Sequence, residues 1–335
     1  MKFYKIIFFN TMIFGTFMTI SAMSWFSMWM GLEINLLSII PLMKSNKNLF
    51  PSEASIKYFI TQTMASTIIL LSIIINLNME EFTPLNSQLF SNLMINSSLL
   101  TKMGAAPFHY WFPEVMEGLN WNTCLIMLIW QKIAPMMILM NNLNMTIFLS
   151  MIIIISALIS SIIGLNQTSL RKIMTYSSIN HIGWMLGSML QSSSIWMLYF
   201  LTYSVISINI ILIFNTYSIF SINQLLMVLN FSKMMKIMFS LNFLSLGGIP
   251  PFLGFLPKWF TINYLIKNNF YLLSAILIVL TLITLYFYIR VMFSIITIYS
   301  YENITYKKTY SMFFIMAFNL VSLSMLVLCT FFFNF

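Results

Sequence analysis

The chain has 335 residues, 60% of them apolar and 7% charged, with a mean hydropathy of +0.90, whereas soluble domains carry about 25% charged residues. This composition excludes a soluble domain and makes lipid the solvent for most of the chain. The formal charge of +9 does not point to nucleic acid, because the basic residues stand singly between apolar runs and form no patch.

Cys124 and Cys329 fall inside apolar runs, so neither a disulfide framework nor a metal site is indicated. The usage is skewed, with 30 Met, 32 Phe, no Asp and only Arg171 and Arg290 as arginines. That fits an AT-rich genome reading an extra codon as Met, and so an organelle-encoded protein.

A helix needs about 20 apolar residues to cross the hydrocarbon core. Eleven segments are candidates: residues 4–23, 24–43, 55–77, 89–118, 121–141, 146–165, 174–190, 194–220, 237–263, 270–290 and 312–335. They follow one another with short connections, so the chain reads as a single all-α, polytopic transmembrane domain over residues 1–335. The first segment passes at once into the second and reads as a retained span, not a cleaved leader.

The second span holds Glu33 at its middle, in Met30-Gly-Leu-Glu-Ile-Asn-Leu36. The fourth and ninth are longer than one crossing requires, and each is interrupted by a Gly/Pro cluster. Lys102 lies two residues before the first cluster, and His109 lies within it, on the Lys102 helix face only if the helix continues through the break. Glu114 and Glu117 follow at the end of the fourth span and read as a solvated acidic rim. Lys132 stands at the middle of the fifth span, in Trp130-Gln-Lys-Ile-Ala-Pro135, and His181 near the middle of the seventh. Lys258 comes directly after the second cluster. Trp25, Trp121, Trp259 and Tyr301 lie near span ends and read as interfacial anchors.

Eleven spans put the termini on opposite sides. The side with the amino terminus then receives Lys2, Lys5, Lys44, Lys47, Lys57, Arg171, Lys172, Lys233, Lys236, Arg290, Lys307 and Lys308, and the other side receives Lys267 with Glu80 and Glu81. The positive-inside rule therefore places the amino terminus on the cytoplasm-equivalent face.

The two clusters, Gly104-Ala-Ala-Pro-Phe-His-Tyr-Trp-Phe-Pro113 and Gly248-Ile-Pro-Pro-Phe-Leu-Gly-Phe-Leu-Pro257, align without a gap. Their spans are five crossings apart and run in opposite directions. That is the pattern of an inverted repeat with broken helices, with halves at roughly 1–141 and 146–291 and an extra helix at 312–335. Broken helices in such folds line ion pathways, because free backbone groups there hold ions or water.

A lysine at the membrane centre costs at least about 2.5 to 3.5 kcal/mol. Pairing with Glu33 satisfies one of Lys102, Lys132 and Lys258, not all three, and snorkelling suits the central Lys132 poorly. The set points to proton transfer, with Glu33 and Lys102 expected as a coupled pair. A buried imidazole is more often a hydrogen-bonded core residue, which tempers His109 and, further, His181. No Gly-rich phosphate loop, Cys cluster or haem-ligand pair is present, so the chain carries no redox centre of its own.

These stretches, together with Gly31-Leu-Glu-Ile-Asn-Leu-Leu-Ser-Ile-Ile-Pro41, Leu165-Asn-Gln-Thr-Ser-Leu-Arg-Lys172, Tyr176-Ser-Ser-Ile-Asn-His-Ile-Gly-Trp184 and the run from Asn242 to Trp259, carry a resemblance. The chain closely resembles the subunit 2 family of mitochondrial NADH:ubiquinone oxidoreductase, respiratory complex I, over essentially its whole length. The resemblance implies an antiporter-like, non-redox subunit that translocates protons in the membrane arm of an NADH:ubiquinone reductase. It implies a proton relay of Glu33, Lys102, Lys132 and Lys258, with His109 on the family pattern.

No cofactor is implied for this chain. NADH, FMN, iron-sulfur clusters and ubiquinone would be bound by other subunits. Implied partners are neighbouring antiporter-like, small core and accessory subunits and inner-membrane lipids. The implied location is the mitochondrial inner membrane, with the amino terminus in the matrix and the carboxyl terminus in the intermembrane space. The loops at 221–235 and 299–311 carry no family motif. A free-standing cation/proton antiporter is the alternative, and a purely structural scaffold is a third.

Overall fold

The structure is a computed structural model that describes residues 3–44, 49–79, 86–229, 233–297 and 319–320. It is all-α: among the described residues the only strand-like pairing is one isolated bridge, Ser169 to Ser221. In chain order the helices are α1 (Phe3–Ser21), α2 (Trp25–Met43), α3 (Phe50–Met79), α4 (Asn86–Met103), α5 (Trp111–Gly118), α6 (Trp121–Leu125), a π-helical turn (Ile126–Trp130), α7 (Gln131–Met140), α8 (Thr146–Gly164), α9 (Leu170–Met189), α10 (Ser193–Tyr217), α11 (Ile222–Leu229), α12 (Lys233–Gly247), α13 (Phe255–Lys267) and α14 (Tyr271–Thr297).

The first ten expected spans are all present. The fourth is the pair α4/α5, the fifth is α6, the π turn and α7, and the ninth is the pair α12/α13. The eleventh lies outside the described residues apart from Asn319 and Leu320. The stretch from Ser221 to Met235, read as a loop, contains α11.

Among the described residues, seven helices are by themselves long and apolar enough to cross a membrane. The broken spans fall short because each is cut in two. α9 is different: Leu170 and every residue from Ile173 to Met189 are buried. Protein shields this helix from lipid, so it tolerates Ser177, Ser178, Asn180 and His181, which a lipid-facing helix would not.

The chain forms two compact units, Met1–Ile152 and Ile153–Phe335. In the first, α1 and α2 approach backbone to backbone. A Cβ added at Gly31 would stand 2.5 Å from Thr19 Cγ2 and 2.9 Å from the Thr19 nitrogen, and one at Gly15 would stand 3.1 Å from the Gly31 carbonyl oxygen. Small residues make this contact, as lipid tails leave close packing as the main attraction between helices. Ser24 starts α2 by accepting from the Ser27 amide. The buried hydroxyls of Thr16, Thr19, Ser38 and Ser98 donate to the carbonyl three residues back, which satisfies them in the apolar medium. At the exposed rim, Lys57 pairs with Glu114 at 2.9 Å and with Glu53 at 3.5 Å.

In the second unit the loops before α9 and after α10 lie side by side. The Leu170 amide donates to the Phe220 carbonyl at 3.0 Å, the Ile222 amide to Thr168 at 3.3 Å, and Arg290 reaches the Leu165 carbonyl at 2.8 Å. At the other end, Asn268 donates to Gln191. This is what a chain that alternates direction at each crossing requires. Phe214, Phe239, Phe243 and Tyr288 contact one another in sequence through the core, edge-on or tilted, with ring centroids 5.1 to 6.2 Å apart.

Candidate functional site

The two Gly/Pro clusters fold alike. α4 ends at Met103 and α12 at Gly247, and the next glycine, Gly104 or Gly248, takes φ of +74° or +75°. Only glycine enters that region without a Cβ penalty, so each glycine stops its helix. The Ala106-Pro107 and Pro250-Pro251 bonds, at matching positions, are both cis. Pro113 and Pro257 then fall in the first turn of α5 and α13, where a missing N–H leaves no bond unmade.

Each break leaves helix-end carbonyls inside the protein, and side chains satisfy them. Trp111 Nε1 donates to the Thr101 carbonyl at 3.1 Å and Gln62 Nε2 to the Lys102 carbonyl at 3.4 Å. At the second break Lys258 Nζ donates to the carbonyls of Gly247 at 2.8 Å and Leu246 at 3.5 Å. Leu246 aligns with Lys102, so the same carbonyl is capped in both clusters, once by an amide and once by an amine.

In the first unit Lys102 is buried and lines a small pocket, with room for about one water, together with Leu32, Asn35, Leu36, Tyr58, Gln62, Gln131 and Pro135. Glu33 makes no ion pair with it within 4.0 Å, but its carboxylate acts on Lys102 electrostatically. Glu33 Oε1 is buried without a hydrogen-bond partner.

Lys132 is 1% exposed, its Nζ 5.9 Å from the centroid of the Phe112 ring, which itself packs beside Gly104. It is the second residue after the π turn. Such turns insert a residue, rotate the helix that follows and cluster at functional positions.

His109 is 1% exposed and sits in the break, with Nδ1 3.3 Å from the Pro107 carbonyl and its ring 4.5 Å from that of Tyr110. The helix does not continue through the break, so Lys102 and His109 do not share a helix face. Glu114 is exposed and pairs with Lys57, as a rim residue does.

In the second unit the Lys258 ammonium lies 5.8 Å from the Trp184 ring centroid. One turn back on α9, His181 Nδ1 is 2.9 Å from Tyr199 Oη, with the Tyr203 ring at 5.0 Å. Asn180 donates to Thr284 at 3.3 Å. Among the expected anchors, Trp259 is 49% exposed, but Trp121 is 2% exposed and belongs to the core. Its place at a span end says nothing about which way it faces. Tyr301 lies outside the described residues.

The family model for the transmembrane part of NADH:quinone oxidoreductase and Mrp antiporters matches residues 22–284. The chain belongs to this family. The NADH:quinone oxidoreductase/Mrp antiporter members most similar to it include NADH-ubiquinone oxidoreductase chain 2 of Anopheles gambiae, 49% identical over 89% of this chain and 87% of the relative, and that of Aedes aegypti, 49% identical over 96% and 98%. A chain of respiratory complex I from Thermus thermophilus has the same fold, with a TM-score of 0.88 at 19% identity, over 98% of this chain and 79% of that one.

The two broken helices thus come with neighbours that formal charge does not reveal. Asn35, Tyr58, Gln62 and Gln131 surround Lys102, and Trp184 covers Lys258. The available signal was neutral: polar side chains standing within apolar spans, such as Gln62 in Phe59-Ile-Thr-Gln-Thr63 and Gln131 beside Lys132.

Proposed function

We propose that the chain is a subunit 2-type, antiporter-like component of the membrane arm of proton-pumping NADH:ubiquinone oxidoreductase in the mitochondrial inner membrane. It carries protons through Glu33, Lys102, Lys132 and Lys258, with His109 at the first break, and other subunits bind NADH, FMN, iron-sulfur clusters and ubiquinone. The twelve-to-one bias of loop cations supports an amino terminus in the matrix and a carboxyl terminus in the intermembrane space. The two halves, 1–141 and 146–291, act as an inverted repeat.

One observation carries this reading: each buried lysine stands at an interruption of its helix. Lys102 precedes the first break, Lys132 follows the π turn and Lys258 caps the second break. Capping of helix-end carbonyls accounts for Lys258 but not for Lys102 or Lys132. At a break, carbonyls and cavity space let water approach the amine, so a proton can arrive at or leave Nζ.

Glu33 and Lys102 interact across a low-dielectric interior, where a small change in separation alters the interaction by far more than it would in water. Movement of either helix would then load or empty the lysine.

Native purification tests the assembly: the chain should co-purify with flavin and iron-sulfur proteins. A free-standing antiporter would be isolated active without them. Pumping by assembled Lys102→Met and Lys132→Met complexes tests the relay.

A further inference from the structure

The hydrogen bonds around Lys102 run in one direction. Tyr58 Oη on α3 donates to Gln131 Oε1 on α7 at 3.2 Å, and Gln131 Nε2 donates to Asn35 Oδ1 on α2 at 2.8 Å. Gln62 Nε2, one turn along α3 from Tyr58, donates to the Lys102 carbonyl at 3.4 Å. Asn35, Tyr58 and Gln62 are all buried.

Two acceptors remain free around the cavity, a lone pair on Tyr58 Oη and Gln62 Oε1, beside the unused amide N–H groups of Asn35, Gln62 and Gln131. A lysine ammonium has three donors and no acceptor, so these two oxygens are the complementary groups for it. An amide cannot readily pass a proton on. It can fix where a hydroxyl or a water points.

We infer that Gln131, held by Tyr58 and Asn35, is a positioning residue for Lys102: it locks α2, α3 and α7 so that the cavity presents acceptors to the ammonium and to the water that takes its proton. Gln131 suits this role by place. It is bonded to both α2 and α3, it opens α7 immediately after the π turn, and Lys132 is its neighbour in the chain.

The titratable residues on the elements packed around Lys102 are Glu33 of α2, Tyr58 of α3, Glu117 of α5 and Lys132 of α7, with Glu53, Lys57 and Glu114 at the exposed rim. Of these, Glu33 is the charge that acts on Lys102. The neutral cage therefore supplies what Glu33, at more than ion-pair distance, does not.

The inference rests on the proposed relay, and the test separates the two. Assembled complex carrying Tyr58→Phe, Gln131→Leu or Lys102→Met is reconstituted in liposomes, and NADH-driven proton uptake is measured as a function of pH. Tyr58→Phe keeps the ring and removes the donor and its lone pairs, so it should assemble. The alkaline limb of pumping should move by about one pH unit toward acid in Tyr58→Phe and Gln131→Leu. Neither change should add to Lys102→Met.

An unchanged pH profile in Tyr58→Phe, with Lys102→Met defective, would overturn the inference and leave the relay standing. Normal pumping by Lys102→Met would instead remove the relay reading. Should Gln131→Leu fail to assemble, Tyr58→Phe decides alone.

Discussion

Lys258 Nζ lies 2.8 Å from the carbonyl oxygen of Gly247, so the charge that follows the second break also closes the helix that precedes it. Lys258 also reaches the Leu246 carbonyl at 3.5 Å, and at the first break the corresponding carbonyl, that of Lys102, accepts from Gln62. One break is held by a group that never changes charge and the other by a group that can. Opposite the negative end of α12, an ammonium is the favoured occupant.

Lys258→Gln retains a donor for this carbonyl, and Lys258→Met retains none. Both should lose pumping. Only Lys258→Met should loosen the break, with amide exchange across residues 248–254 in the assembled complex rising roughly tenfold or more, as expected for a lost charge-assisted bond. Equal exchange in both variants would mean that the cap contributes nothing to the break.

Gly104→Ala places a Cβ at a φ of +74° and 3.2 Å from Phe112 Cβ. The strain should cost about 1 to 2 kcal/mol and lower the amount of assembled complex. The same substitution at Gly187, whose nearest neighbour is 3.9 Å away, should be tolerated. Blue native gels and thermal inactivation compare the two.

Gly31→Val should separate α1 from α2, because its Cβ would lie 2.9 Å from the Thr19 backbone nitrogen, which cannot rotate away. Overpacking of this kind costs about 1 to 3 kcal/mol. Since α2 carries both Glu33 and Asn35, residual complex should pump less per NADH as well as being less abundant. A loss of abundance with a normal proton ratio would show that the contact supports folding alone.

The spans and the four intramembrane charges were legible because lipid offers a charge no partner, so each one announces itself in an apolar run. The two breaks were legible for a related reason: glycine and proline mark backbone that cannot remain helical, and Gly104 and Gly248 take the same φ. The π turn at Ile126–Trp130 was not, since Ile-Met-Leu-Ile-Trp has no breaker residue and its extra residue is absorbed in the hydrogen-bond pattern alone. The cage around Lys102 escaped because Tyr58, Gln62 and Gln131 carry no formal charge and converge only after three helices pack. Trp121 was misread for want of a direction: a span end fixes depth, but burial depends on which neighbour lies beside it. Glu33 and Lys102 were expected as a pair, and no ion pair within 4.0 Å joins them.

The most direct measurement is the number of protons pumped per NADH by assembled complex in liposomes, compared among the native chain, Glu33→Gln, Lys102→Met and the double variant. A relay in which each residue sets the protonation of the other expects comparable losses in the two single variants and a double variant scarcely worse than either. A normal ratio and normal turnover in Lys102→Met, or losses that simply add, would contradict it.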